Sequence, residues 1–322
     1  MDFYSTAPNV KMRLASIDIG TNTVLMLIAD IQRNGSLNVV KDEHFIGRLG
    51  KGVDEHGIIQ KETFHRIHDI LSQLKNIADS FDIKRISACG TSALRDAENR
   101  QEFIDFIKEK LAIEIRILSG KEEAELTYLG AVSEYLSSAD SKNYAVLDIG
   151  GGSTEIVIGS GARVTSSNSI DIGSVRLTER ILKNNPPSDI ALMNAGRLVR
   201  DYLQKIQSLL PTTNIIGVAG TLTTLAALDL RIPEFDKNLV NRHTLTIEAI
   251  DRIFQELRPL TLDLLKSYPQ IHPSRADILL AGIIILRETL RKVNLSKITV
   301  SDRGLRYGIV LRTAQNLFND SI

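Results

Sequence analysis

The 322-residue chain has one cysteine, Cys89, which excludes an internal disulfide framework and fits a reducing compartment. Within "RISACGTSAL" it reads as a small residue at a buried strand end rather than a reactive thiol. Net charge is missing too, since Lys+Arg and Asp+Glu both number 39. Whole-chain charge therefore offers no pull toward nucleic acid polymers or anionic membranes, although a local basic site stays compatible with it. Long apolar runs are scarce. The longest, "ILLAGIIIL" from Ile278 to Leu286, has nine residues and is too short to cross a bilayer. It reads as part of a buried helix capped by Ser274. The N-terminal "MDFYSTAPNVKMR" has no apolar h-region, so no secretory signal is expected. Low-complexity stretches and long linkers are lacking, as are a Walker A lysine motif, GxSxG, HExxH and CxxC. A soluble, cytoplasmic protein is expected.

What is present is a pattern that starts twice. In the first third, "LASID", "TVLMLIAD" and "SLNVVKDEHFI" read as strands, and "IHDILSQLKNIADSF" places its apolar residues on one helical face. The strand "RISAC", the helix "NRQEFIDFIKEKL", the strand "IEIRIL" and a helix from Glu122 to about Ser137 follow. Then "AVLDIG", "TEIVIG" and "RVTSSNSIDI" repeat the three-strand opening. Helices over Val175–Leu182 and Ile190–Leu210, the strand "IIGVAG", the helix "TLTTLAALDL" and a mostly helical end complete the chain. Asp18 and Asp148 close the first strand of each half, 130 residues apart, and Gly90 and Gly220 open two Gly-Thr motifs at the same offset. The expected fold is α/β with two similar lobes facing each other across a cleft, the second enlarged by helices. Residues 1–131 form lobe I and 132–304 lobe II, with a helix over 305–322 returning to lobe I.

The turns carry the candidate chemistry. Ligands of open α/β sheets bind beyond the strand ends, and consecutive glycines allow backbone N–H groups to converge on an anion. Gly150, Gly151 and Gly152, with the hydroxyls of Ser153 and Thr154, therefore suit a phosphate, although a tight hairpin explains a lone glycine-rich turn equally well. Asp148 suits a Mg²⁺ bridging to phosphate oxygens, or a water, and Glu155 suits the same metal shell. Thr91 and Thr221 follow strands and open helices, where they suit either an anion or plain capping. In "SGKEEAEL", Ser119 and Glu122 form a capping box, which leaves Glu123 without a structural task. A carboxylate there can accept a proton from an attacking water, or simply favour the helix N-terminus. His65 and His68 have no third ligand nearby and read as surface residues.

"DIGTNT", "GTSALRDA", "SGKEEAEL", "LDIGGGSTEIVIG", "IGSVRLTE", "GTLTTLAAL" and "SDRGLRYG" occur in the order seen in the exopolyphosphatase/guanosine pentaphosphate phosphatase family, which the chain resembles from about Arg13 to Leu311. The resemblance implies two actin-like (ribonuclease H-like) lobes and Mg²⁺-dependent hydrolysis of a terminal phosphoanhydride of inorganic polyphosphate or pppGpp. It implies Glu123 as general base, with Arg95 and Asp148 beside it in catalysis. Phosphate binding falls to Gly20, Thr21, Asn22 and Thr23, to Gly150–Ser153, to Gly220 and Thr221, and to Arg306; the metal falls to Asp18, Asp148 and Glu155. Two departures stand out: Leu25 where many members have an arginine, and Tyr307 where a glutamate is common. The chain also stops short of the C-terminal helical domains of long members, so strong processivity on long polyphosphate is not expected. Polyphosphate and pppGpp present the same terminal bond, so the sequence does not choose between them, nor does it set a homodimer or any other oligomeric state. A non-hydrolysing nucleotide or alarmone sensor, and an actin-clan kinase, are the alternatives.

Overall fold

The computed structural model describes residues 11–136, 142–204, 206, 209 and 213–320. The chain divides into unit 1, Met1–Asp140 with Arg303–Ile322, and unit 2, Ser141–Asp302. In unit 1, β1 (Lys11–Ile19), β2 (Thr23–Gln32) and β3 (Leu37–Ile46) form an antiparallel meander. After α1 (Val53–His56) and α2 (Lys61–Ser80) come β4 (Ile86–Gly90), α3 (Ser92–Asp96), α4 (Arg100–Leu111), β5 (Ile115–Ile117) and α5 (Gly120–Val132). β4 lies parallel to both β1 and β5, giving the order β3-β2-β1-β4-β5.

Unit 2 opens the same way, with β6 (Asn143–Ile149), β7 (Thr154–Ser160) and β8 (Arg163–Ile170) antiparallel. The helices α6 (Ser174–Arg180) and α7 (Asp189–Leu203), the strand β9 (Asn214–Val218) and α8 (Ala219–Leu230) follow. Next come α9 (Lys237–Val240), β10 (Thr244–Thr246), α10 (Ile247–Leu257), α11 (Leu262–Lys266), α12 (Leu279–Val293) and β11 (Lys297–Val300). The sheet order is β10-β11-β9-β6-β7-β8. Read from β8 to β11, this repeats the unit 1 order, with β10 added at the edge. The last helix, α13 (Leu305–Asn319), belongs to unit 1. Two α/β units of ribonuclease H-like topology are therefore observed, the second carrying the extra helices.

Both faces of the unit 1 sheet are covered, which is why β2 reads as an almost unbroken apolar run. Ile17, Ile19, Val24 and Met26 pack with Phe64, Ile67 and Leu71 of α2 and Phe103 and Ile107 of α4. On the opposite face, Leu27, Ala29 and Ile31 pack with Val310, Leu311 and Ala314 of α13. In unit 2, the first two turns of α12, Leu279 to Leu286, are buried all round, as a stretch without a polar face must be.

Some element ends differ from the sequence reading. Ser274 does not cap α12; it lies in a short 3-10 turn, Pro273–Arg275, and α12 begins beyond Ile278. The intervening turn is closed by the His272 ring, whose Nδ1 accepts from Ser274 N. α8 begins at Ala219, one residue before the Gly-Thr pair. α5 ends at Val132 and α7 at Leu203. Ser137 and Leu210, the expected ends, lie outside the described residues, as does the segment 1–10 screened for a signal. Among the described residues, no helix is long and apolar enough to cross a membrane.

Candidate active site

The two turns close identically. Gly20 N donates to Thr23 O at 2.9 Å, and Gly150 N to Ser153 O at 3.0 Å. Each turn then has its carbonyls taken by a neighbouring segment. Gly47 N and Arg48 N donate to Asn22 O, and Gly50 N to Thr21 O, at 2.9–3.0 Å. In unit 2 the start of α6 does this work: Ser174 N donates to Gly150 O at 2.9 Å, and Val175 N and Arg176 N to Gly151 O at 2.9 and 3.1 Å. With the carbonyls occupied, the N–H groups of Thr21 and Asn22, and of Gly151, Gly152 and Ser153, meet no protein acceptor among the described residues. Such a row of unmatched donors is an anion nest.

None of the three consecutive glycines takes a positive φ. The tightest approach falls on a neighbouring glycine: a Cβ on Gly173 would stand 2.5 Å from the carbonyl carbon and oxygen of Gly151, whereas one on Gly150 would meet only Ser153 O, at 3.1 Å. Across the first turn, a Cβ on Gly50 would stand 2.3 Å from Thr21 Cγ2.

The carboxylates expected at a metal are placed unequally. Asp148 lies directly opposite Glu155 across the β6–β7 pair, whereas Asp18 lies opposite Leu25 across β1–β2. Glu155 is buried, and its Oε1 accepts from Ser169 Oγ at 2.8 Å. Among the described residues, no group of three or more His, Cys, Asp or Glu side chains gathers as a metal cage.

In unit 1 the structure brings Glu123 and Arg95 together. The capping box at α5 forms in full: Glu122 N donates to Ser119 Oγ at 3.2 Å, and Ser119 N donates to Glu122 Oε2 at 3.0 Å. Arg116 adds an ion pair to Glu122 at 2.8 Å. Glu123 points the other way and is 7% exposed. Arg95 Nη1 donates both to Glu123 Oε2 at 3.0 Å and to Leu118 O at 2.9 Å. Burial pushes the Glu123 carboxyl above its ordinary value, and the Arg95 guanidinium only partly opposes this. A buried carboxylate with a raised pKa, steered by one arginine, is suited to exchanging a proton with a water.

The remaining expected residues have local contacts of their own. Thr91 occupies the N-cap position of α3, but its hydroxyl makes no capping bond; Thr221 lies inside α8 and caps nothing. The guanidinium of Arg306 is turned to Asp42, with bonds of 2.9 and 3.1 Å. Gly220, at the start of α8, faces an unexpected arginine. A Cβ there would stand 1.7 Å from Arg275 Nη1, so the guanidinium fills the space that only a glycine leaves open. No hydrogen bond or ion pair engages the Arg275 guanidinium among the described residues, and burial alone lowers its pKa.

The Ppx/GppA phosphatase family is matched over residues 27–317. The chain belongs to it. Exopolyphosphatase 2 of Mycobacterium tuberculosis is 35% identical over 317 residues, covering 94% of this chain and 98% of that protein. The Aquifex aeolicus member of the Ppx/GppA family has a crystal structure that superposes with TM-score 0.81 at 31% identity, covering 96% of this chain and 99% of that one. An exopolyphosphatase from Cytophaga hutchinsonii superposes with TM-score 0.86 at 28% identity, covering 95% and 98%. The chain's chemistry is accordingly phosphatase chemistry.

In this Ppx/GppA chain the sequence reading missed Arg275. "HPSRAD" has no periodicity and no glycine run, so nothing local distinguishes that arginine from a solvated one. The available signal was its position just ahead of the most apolar run in the chain, where a lone cation must be held by something.

Proposed function

We propose that this protein is an exopolyphosphatase-type hydrolase that removes the terminal phosphate of inorganic polyphosphate, pppGpp or both, releasing orthophosphate in the cytoplasm. The carrying observation is Glu123, released from helix capping by Glu122, buried, and held by Arg95. The M. tuberculosis and C. hutchinsonii relatives, both exopolyphosphatases, support the polyphosphate reading.

Phosphoryl transfer asks mainly for positioning and charge stabilisation. Glu123 accepts the proton of the attacking water, and Arg95 holds the carboxylate on its axis while lowering the cost of its ionised form. Within each unit, the unmatched amides of the turn (Thr21 and Asn22 in unit 1, Gly151 to Ser153 in unit 2) are donors suited to phosphate oxygens. Arg275, laid on the first turn of α8, presents a cation where helix N–H groups also collect negative charge. The donor set fits Mg²⁺, which takes one or two carboxylates and completes its shell with waters and phosphate oxygens. Asp148 and Glu155, facing each other across two strands, would hold it. When bound, Mg²⁺ supplies charge compensation at the phosphate oxygens.

Phosphate release from short and long polyphosphate, pppGpp and ATP, measured with Mg²⁺ for wild type and Glu123→Gln, tests this reading. Release from polyphosphate or pppGpp is expected, reduced about a hundredfold or more in the variant, as for loss of a general base. Unchanged turnover in Glu123→Gln removes that residue from the chemistry. A wild type that binds these anions without hydrolysing them is instead a sensor.

A further inference from the structure

One buried ion pair of unit 1 sits apart from the proposed chemistry. Arg306, in the first turn of α13, donates through Nε and Nη2 to both oxygens of Asp42 on β3. The side chains are 5% and 6% exposed. Burial by itself would raise the Asp42 carboxyl, but His44, 3.4 Å away, and the Arg306 fork outweigh it and hold the group well below the usual carboxylate range. The same residue is tied a second time, because Ser16 Oγ on β1 donates to Arg306 O at 2.7 Å. The first turn of α13 is thereby fixed to two strands.

α13 is in turn locked to α5. A Cβ on Gly308 would stand 1.8 Å from Leu126 O, and one on Gly130 would stand 2.2 Å from Gly304 O. Backbones in such contact cannot slide independently. α5 carries Glu123 in its first turn, less than one helical turn from Leu126.

We propose that the Arg306–Asp42 pair is a positioning device for Glu123, carrying the placement of β3 through α13 to α5, and that Arg306 is not a phosphate ligand. This rests on Glu123 being the general base. A buried ion pair adds little net stability against an apolar substitute. What the bidentate fork supplies is a fixed distance and angle. A base displaced by about 1 Å can lose about a hundredfold in rate, so such a constraint has a kinetic use.

Asp42→Asn and Arg306→Lys test it, through steady-state hydrolysis of polyphosphate and hydrogen exchange of the amides of residues 123–130. For both variants kcat is expected to fall about tenfold to a hundredfold, with KM nearly constant and α5 exchange faster. If Arg306 bound phosphate, Asp42→Asn would release it to the substrate, lowering KM with kcat kept, and Arg306→Lys would raise KM. Either result overturns the proposal. The double variant Asp42→Asn/Arg306→Gln, whose amides can bond to each other, is expected to recover part of the kcat lost in Asp42→Asn; purely additive losses also overturn it. Exchange reads the coupling without activity. A wild type that hydrolyses nothing defeats the Glu123 assignment, whereas unchanged α5 exchange in the variants defeats the positioning device. Should Asp42→Asn fail to fold, Arg306→Lys, which keeps the charge, supports the same comparison.

Discussion

Glu123 is held in a state that costs stability. Its carboxyl is raised in the fold because burial outweighs Arg95, while the unfolded chain keeps the ordinary glutamate value of about 4.3. Above the folded pKa the native state must keep a charge that burial disfavours, so this residue destabilises the fold there. Below the unfolded value both states are neutral and the penalty vanishes. Glu123→Gln is therefore expected to raise the thermal midpoint at pH 8, and to lose that advantage as the pH falls toward about 4. Melting curves across this range check it; a variant less stable than wild type at pH 8 would show that the Arg95 pair outweighs the burial cost. The sequence shows by spacing that Ser119 assigns Glu122 to the capping box, which leaves Glu123 unassigned; its role as base is what the family resemblance implies. Its partner is not derivable from spacing, because Arg95 reaches Glu123 from a different helix, 28 residues away.

At the scale of elements, the glycines separate into two kinds. Gly308 is required by the α5–α13 contact, where a Cβ would meet the backbone oxygen of Leu126, an atom that cannot move aside. Gly308→Ala should destabilise by about 2–3 kcal/mol, as overpacking at a close contact does. Gly196, inside α7, meets only the flexible ends of Arg200 and Glu288, at 3.3 and 3.5 Å. Gly196→Ala should be neutral or add about 0.5–1 kcal/mol through helix propensity. Urea unfolding of the two variants decides it, since equal effects would mean that α13 can shift on α5. Neither role shows in sequence, where "AGRLVRDYL" and "RYGIVLRT" are simply helical stretches. Strands and long helices are readable because periodicity is local. The α12 cap is misread at Ser274 because a proline turn and His272 intervene, a choice that local propensity does not reveal.

At the scale of the whole chain, the duplication is the most legible property. The 130-residue offset that joins Asp18 to Asp148 also joins Gly20 to Gly150, Thr23 to Ser153 and Leu25 to Glu155, and both units realise it with the same strand order and the same closing bond. The offset itself shows that the halves differ here, Leu25 against Glu155; that each faces the strand-end aspartate comes from the strand register. In unit 2 the strand-end aspartate faces Glu155; in unit 1 it faces Leu25, which is apolar and half-buried. On the proposed reading, two carboxylates in register would suit a divalent cation that phosphate oxygens complete, whereas one carboxylate beside a leucine would suit a water or a shared ligand. Under the proposed Mg²⁺ dependence, the metal requirement should divide between the units. Asp148→Asn and Glu155→Gln are each expected to raise the Mg²⁺ concentration for half-maximal phosphate release about tenfold or more, in line with losing one ligand or its supporting partner. Asp18→Asn is expected to lower kcat with a much smaller change in that concentration. A Mg²⁺ titration of the three variants at saturating polyphosphate measures the division. Equal shifts in all three would mean that the leucine has not removed the first turn from metal binding.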